Sequence, residues 1–209
     1  MPVEPHISKH YAAHVEAQQN AWETALAEEG FDSAVIHAGS ERAAFLDDYH
    51  YPFRPNPHFL AWAPLTHHPE SVLVVRPGDK PVLYFHQPSD YWELPPADPE
   101  DWWAEHFDVR ITTHAAEWRA GVPLGRECYI GDAPDIAGEA DINPQHVLNR
   151  IHLHRARKSD YEVACIWAAS KTAARAHRAA EEAFREGSSE YGIHLRYLEA
   201  AGANDAELP

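Results

Sequence analysis

Eleven of the 17 prolines in the chain lie between residues 52 and 99. Each proline removes a backbone donor and clashes with the preceding helical turn, so this segment cannot form a long helix. Two short apolar runs remain between the prolines, Val72–Val75 and Val82–Phe85. They are separated by Pro77–Lys80, which is rich in turn-forming residues. The segment therefore predicts two strands joined as a hairpin.

Residues 160–186 have the opposite character. The 26 residues after Asp160 contain no glycine or proline and are rich in Ala, Glu and Arg, which are strong helix formers. We expect a helix roughly 40 Å long, capped by Asp160 and ended by Gly187. A second helix is expected from Ser188 or Ser189 to about residue 201.

Helices and strands also alternate in the first part of the chain, which indicates an α/β fold. A helix is expected over residues 8–29, with Ser8 as its cap and Gly30 as its end. The other expected elements are strands at Ala34–Ile36, 107–112 and 127–130, and a helix from Asn143-Pro144 to about residue 156. Because the composition changes near Lys158, we place a domain boundary there, with domains 1–157 and 158–209.

The charge balance argues against two classes of partner. Lys and Arg number 17 and Asp and Glu number 33, so the net charge is −16. An acidic surface repels phosphate backbones and anionic lipids, and no apolar run approaches the roughly 20 residues of a membrane-spanning helix. No role with nucleic acid or at a membrane is expected. Cys128 and Cys165 are far apart and no export signal precedes them, which favours reduced thiols and a cytoplasmic protein.

Three groups of residues are candidates for a functional site. Asp47 and Asp48 begin a polar, aromatic and proline-rich loop that can present a carboxylate to a ligand's ammonium group. Trp92, Trp102 and Trp103 lie in an acidic, proline-rich stretch and indicate either an interface or a small core under a long loop. His6, His10 and His14 recur every four residues, which is compatible with a metal site or with a solvated helix face.

Several longer strings together resemble one known family, the bacterial Xaa-Pro dipeptidases (prolidases), with the organophosphorus acid anhydrolases as relatives. The strings that carry the resemblance are Phe45-Leu46-Asp47-Asp48, Asn56-Pro57-x-Phe59-x-Ala61-Trp62, Arg155-x-x-Lys158-x-x-Tyr161-Glu162 and His177-Arg178-Ala179-Ala180-Glu181-Glu182-Ala183-Phe184. The similarity extends from about residue 8 to the last residue.

The resemblance implies an architecture and a chemistry. The expected fold is an N-terminal creatinase/prolidase-like α/β domain with a mixed β-sheet flanked by helices, followed by the first helices of a truncated pita-bread domain. Family enzymes hold two Mn²⁺ with two Asp, one His and two Glu from the later part of that domain. None of these ligands can be assigned to this sequence. We therefore expect no catalytic residue, no metal and no dipeptidase activity in this chain by itself.

The resemblance also implies a partner. Family members dimerise, and each N-terminal domain reaches over the partner's active site. By similarity, Asp48 is expected to line the partner's substrate pocket and to pair with the α-amino group of an Xaa-Pro dipeptide, and Trp92 is a weaker candidate for the same wall. A homo-oligomer, most simply a dimer, is also expected because helix 160–186 carries an apolar face that needs to be covered.

Two other interpretations stay open at this point. One is a stand-alone, non-catalytic peptide-binding or scaffolding module, and the other is a histidine-rich metal carrier. An open reading frame past residue 209 with Asp, His and Glu ligands would favour the peptidase over the module. Loss of tight Zn²⁺ or Ni²⁺ binding on substitution of His6, His10 and His14 would identify the carrier. The sequence leaves open a preference for dipeptides or for organophosphates.

Overall fold

A computed structural model describes residues 5–89, 91, 94–122 and 125–204 of the chain. The α-helices are α1 (Pro5–Ser8), α2 (Tyr11–Glu29), α3 (Pro57–Leu60), α4 (Gln145–Ala156), α5 (Asp160–Arg185) and α6 (Glu190–Ala201). The strands are β1 (Ser33–His37), β2 (Arg42–Ala43), β3 (His50–Tyr51), β4 (Val72–Val75), β5 (Val82–His86), β6 (Asp108–Thr112), β7 (Glu127–Ile130) and β8 (Asp141–Ile142). Backbone contacts divide these residues into two compact units, 8–157 and a second unit made of 158–204 with residues 5–7.

The larger unit is built on a mixed six-stranded sheet with the order β6-β5-β4-β1-β7-β8, which confirms the predicted fold class. Strand β4 is antiparallel to its neighbours β1 and β5, whereas the pairs β5–β6, β1–β7 and β7–β8 are parallel. All strands except β4 therefore run in one direction, and their carboxyl ends share one edge of the sheet. The predicted hairpin of β4 and β5 is confirmed, with Leu73 opposite Leu83.

Both faces of the sheet are covered. On one face, Val35, Val74, Tyr84 and Tyr129 form a buried cluster with Trp118, which lies in a short 3-10 helix. Helices α2 and α4 pack against each other, and α2 contacts β1 and β4. Because both faces are covered, all five residues of β1 are buried, as in a continuous apolar strand.

The first long helix begins later than the sequence predicts. Ser8 does not cap it: α2 begins at Tyr11, and the N-cap residue His10 makes no side-chain cap hydrogen bond. Tertiary contacts set this start, since the Tyr11 hydroxyl donates to the carbonyl of Trp62 and a ring nitrogen of His14 lies 2.6 Å from the carbonyl of Ala61. The predicted end at Gly30 is confirmed, with a left-handed φ of 72°.

The smaller unit consists mainly of α5 and α6, which pack against each other. The cap of α5 is Ser159 rather than Asp160, because Ser159 and Glu162 form a reciprocal capping box that satisfies two backbone donors. Ser189 caps α6, as one of the two predicted alternatives. Among the described helices, none is both long and apolar enough to cross a membrane.

Candidate functional site

Asp48 lies near the tip of a small hairpin formed by β2 and β3. The turn is closed by a hydrogen bond from the Ala44 N–H to the Tyr49 carbonyl at 2.8 Å, and Asp47 Oδ1 accepts from the Tyr49 N–H at 3.1 Å. Asp48 is exposed and makes no hydrogen bond or ion pair with any described residue. The neighbouring carboxylates therefore have different tasks: Asp47 shapes the turn, and Asp48 is available to a ligand.

The same hairpin exposes large apolar side chains. Phe45 and Leu46 are 91% and 90% exposed, and Tyr49 and Tyr51 are more than half exposed. The two tyrosine rings meet edge to face, with centroids 5.8 Å apart. Apolar side chains concentrated on one projecting element, around an unpaired carboxylate, are typical of a surface that contacts another molecule.

Asn56, which follows the β2–β3 hairpin in the sequence, fastens this part of the chain to the sheet. Its Oδ1 accepts from the His58 N–H at 2.9 Å and so caps α3. Its Nδ2 donates to the carbonyls of His37 at 3.0 Å and Ile130 at 3.2 Å, which end the parallel strands β1 and β7. Its own N–H donates to the carbonyl of Ala38. One side chain thus joins the hairpin segment, a helix and two strands.

A buried histidine and a glutamate hold the chain on the other side of the β2–β3 hairpin, just after β1. His37 Nδ1 accepts from the Gly39 N–H at 3.2 Å, so its Nε2 carries the proton and donates to Glu70 Oε2 at 3.3 Å. The Glu70 N–H in turn donates to the Gly39 carbonyl. Burial raises the pKa of Glu70, but hydrogen bonds from His37 and Ser40 outweigh it and hold that pKa below its ordinary value.

A cavity of about 600 Å³ lies at the carboxyl ends of β1 and β7, the edge of an α/β sheet where ligands commonly bind. Next to it, an Arg42–Asp132 ion pair of 2.9 Å links the hairpin to the loop after β7. The cavity is lined by Ala38, Gly39, Arg54, Pro55, Asn56, Pro57, His58, Ile130, Gly131, Asp132, Asn143, Leu148 and His152.

Two histidines meet in the wall of this cavity. His58 on α3 is buried and His152 on α4 is exposed, and their Nε2 atoms lie 3.3 Å apart. Burial, together with the charges of Arg155 and His152, lowers the pKa of His58 to about 4. His58 is therefore a neutral imidazole at pH 7. The sequence offered no sign of this pair, because the two residues are 94 positions apart and each is unremarkable alone.

The other predicted site residues have different outcomes. Trp92 lies outside the described residues. Trp103 is buried and packs near Phe107, and the Trp102 ring meets that of Tyr11 edge to face, so these two tryptophans belong to a small core. His14 is buried against the Ala61 carbonyl, so it is not part of a solvated helix face, and among the described residues it belongs to no group of three potential metal ligands.

The described residues do not fit a dinuclear manganese centre. In residues 5–89, 91, 94–122 and 125–204, no three His, Cys, Asp or Glu side chains form a group that could hold a metal ion. Both cysteines are free, and burial raises the pKa of the Cys128 thiol to about 12, which leaves it protonated and unreactive.

Comparison with known proteins gives matches to one family. Residues 9–153 match the family described as "Xaa-Pro dipeptidase, N-terminal domain". The chain is 43% identical over 206 residues to an Xaa-Pro dipeptidase of Pectobacterium carotovorum, covering 95% of this chain and 46% of the relative. It is 39% identical over 204 residues to one of Pseudoalteromonas haloplanktis, with the same coverage. The chain thus spans about half the length of the curated relatives that it matches.

Solved structures show the same fold at lower identity. A variant of Escherichia coli aminopeptidase P superimposes with a TM-score of 0.60 at 19% identity, over 91% of this chain and 49% of that one. The zinc-substituted form of that protein in complex with product gives a TM-score of 0.59 at 20% identity, with the same coverage. At this identity the likeness concerns the fold.

Proposed function

Because the chain belongs to the family of Xaa-Pro dipeptidase N-terminal domains, we propose that it is the N-terminal part of a metal-dependent, cytoplasmic Xaa-Pro dipeptidase. Residues 1–157 form the N-terminal domain in this proposal, and residues 158–209 begin the catalytic domain. The support comes from the family match over residues 9–153 and from relatives about twice as long. The substrate of the complete enzyme is a dipeptide with C-terminal proline.

The described residues contribute assembly and substrate selection rather than bond cleavage. In this proposal the two manganese ions of the family are held by residues outside this part of the chain, and the lack of a group of three potential metal ligands among the described residues supports it. The 209-residue chain alone therefore does not hydrolyse Gly-Pro or Leu-Pro, with or without added Mn²⁺. Cleavage by material free of full-length enzyme would contradict this.

The β2–β3 hairpin delivers Asp48 to the substrate pocket of a second copy. The exposed Phe45 and Leu46 side chains dock the hairpin, and their burial makes the contact favourable by about 1.5–3 kcal/mol for each side chain. The Asp48 carboxylate, which has no described partner, then pairs with the α-amino group of the dipeptide. A peptide with further residues before Xaa has no ammonium group at this place, so the pairing selects against peptides extended at the amino end. Trp92 contributes to the same wall.

Kinetics of the full-length enzyme test the role of Asp48. We expect Asp48→Asn to raise KM for Gly-Pro and Leu-Pro by about tenfold or more, because an ion pair to the substrate is lost, while metal content stays the same. Asp47→Asn is the matched control, since it removes the neighbouring charge but keeps the oxygen that accepts from the Tyr49 N–H. Equal KM values in the two variants would remove Asp48 from the pocket.

Sedimentation of the full-length enzyme tests the docking role of the hairpin. Phe45→Ser and Leu46→Ser together should shift a dimer toward monomer, because both side chains are about 90% exposed in a single copy and gain burial only in the assembly. Ile142→Ser, at an exposed residue of β8, is the control. A dimer as tight as the wild type would place the interface elsewhere.

A further inference from the structure

We propose that His58 and His152 form the protein half of an open binding site for a divalent transition-metal ion that favours imidazole ligands, such as Zn²⁺ or Ni²⁺. The site lies in the wall of the cavity at the carboxyl ends of β1 and β7. Metal binding by this pair does not depend on the proposed peptidase function.

The distance between the two Nε2 atoms matches this role. They lie 3.3 Å apart, and the ring centroids are 5.2 Å apart. In a tetrahedral site with metal–nitrogen bonds of about 2.0–2.1 Å, two ligand nitrogens are about 3.3–3.4 Å apart. The two imidazoles are thus already spaced as one edge of a coordination tetrahedron.

Both histidines are held on helices rather than on free loops. His58 lies in α3, which Asn56 caps, and its ring meets Trp22 edge to face with centroids 6.3 Å apart. His152 lies in the third turn of α4 and is exposed, so solvent and ions reach it. A metal ion would therefore not have to order a flexible segment when it binds.

The surroundings of His58 leave one of its ring nitrogens open to a partner. Its other nitrogen, Nδ1, is buried and has no hydrogen-bond partner among the described residues. Polar contacts of this ring are therefore made through Nε2, the atom that lies beside His152.

Two protein ligands leave the remaining coordination positions open. No third His, Cys, Asp or Glu completes a group with this pair in the described residues. Water, or an oxygen of a small molecule in the cavity of about 600 Å³, takes these positions. The site is therefore of the open kind, which binds ligands through the metal, rather than a closed structural one.

Titration of the 209-residue chain with ZnCl₂ and NiCl₂ tests the site, with isothermal calorimetry for affinity and long-range ¹H–¹⁵N spectra of the histidine rings for the ligands. We expect Zn²⁺ to shift the Nε2 resonances of His58 and His152. His152→Ala should weaken the tightest site by about tenfold or more, because one of only two protein ligands is lost. His154→Ala, two residues along the same helix, should leave it unchanged.

His58→Gln should produce the same loss as His152→Ala. Because His58 is buried, circular dichroism first checks that this variant folds, and the exposed His152 variant decides the matter if it does not. The proposal is overturned if His152→Ala binds Zn²⁺ as tightly as the wild type. It is equally overturned if saturating Zn²⁺ leaves both Nε2 resonances in place while other histidines shift.

Discussion

Removal of the Asn56 side chain should destabilise the larger unit far more than removal of a half-buried amide side chain normally does. In Asn56→Ala, α3 loses the cap that its Oδ1 provides, which contributes about 1 kcal/mol. The carbonyls of His37 and Ile130 each lose a donor, at about 0.5–1.5 kcal/mol each. The expected decrease in the free energy of unfolding is therefore about 2–4 kcal/mol.

A second variant separates the two contributions. Asn56→Asp keeps the capping oxygen, since Asp caps helices as well as Asn does. It replaces the donating Nδ2 with an oxygen that faces two carbonyl oxygens at 3.0 and 3.2 Å. If the cap contributes most of the stability, the free energy of unfolding of Asn56→Asp should be close to that of the wild type. We expect the opposite, a loss at least as large as that of Asn56→Ala, because like partial charges then meet at the strand ends.

Urea unfolding followed by tryptophan fluorescence measures these effects. Trp22, Trp62 and Trp118 are each 1% exposed and belong to the larger unit, so their emission reports on it. Asn149→Ala is the control: Asn149 is exposed on α4 and bonds only to Gln145 among the described residues, so its loss should change stability by no more than about 0.5 kcal/mol. Asn56→Ala within that range would refute the reasoning.

Three further changes have expected outcomes, two in the same assay and one by circular dichroism. Glu70→Ala should lower the free energy of unfolding by about 1.5–3 kcal/mol at pH 7, because His37 loses a charged acceptor. Since the pKa of Glu70 is lowered on folding, this difference from the wild type should shrink as the pH falls below 4.5. A difference that stays constant with pH would contradict this. Gly131→Ala should lower the free energy of unfolding by about 1–3 kcal/mol, since a Cβ there would lie 2.8 Å from the Tyr129 hydroxyl. Unchanged stability would show that the Tyr129 ring moves freely. Ser159→Ala removes the cap of α5, which contributes about 1 kcal/mol, and should therefore lower the helix content measured by circular dichroism. An unchanged spectrum and melting curve would argue against the capping box.

Local sequence was sufficient where one physical requirement decides the structure. Gly30 ends α2 because it adopts a left-handed conformation that other residues avoid. The run after Asp160 forms one helix because nothing in it breaks the helical pattern. Prolines confine the apolar runs at Val72 and Val82 to short strands, and the turn between them makes the pair antiparallel. For the same reason the fold class could be predicted from the alternation of these elements.

The site depends on contacts that no local pattern carries. The two-residue strands β2 and β3 are too short to show a period. The contacts that connect this part of the chain to the sheet, from Arg42 to Asp132 and from Asn56 to the ends of two strands, join residues far apart in sequence. The resemblance of residues 45–48 to a known family led to the proposal for Asp48, and only the structure shows that Asp47, unlike Asp48, is used in the turn.

The sequence by itself determined the family, the order of the longer helices and strands and the exclusion of a long helix from the proline-rich segment, because these follow from neighbouring residues and from short sequence motifs. Tertiary structure alone decided which polar groups meet. His58 and His152 are 94 positions apart in the sequence, and His37 and Glu70 are 33 apart. Each pair comes together only when the sheet and its helices assemble, because only that packing brings such distant residues into contact.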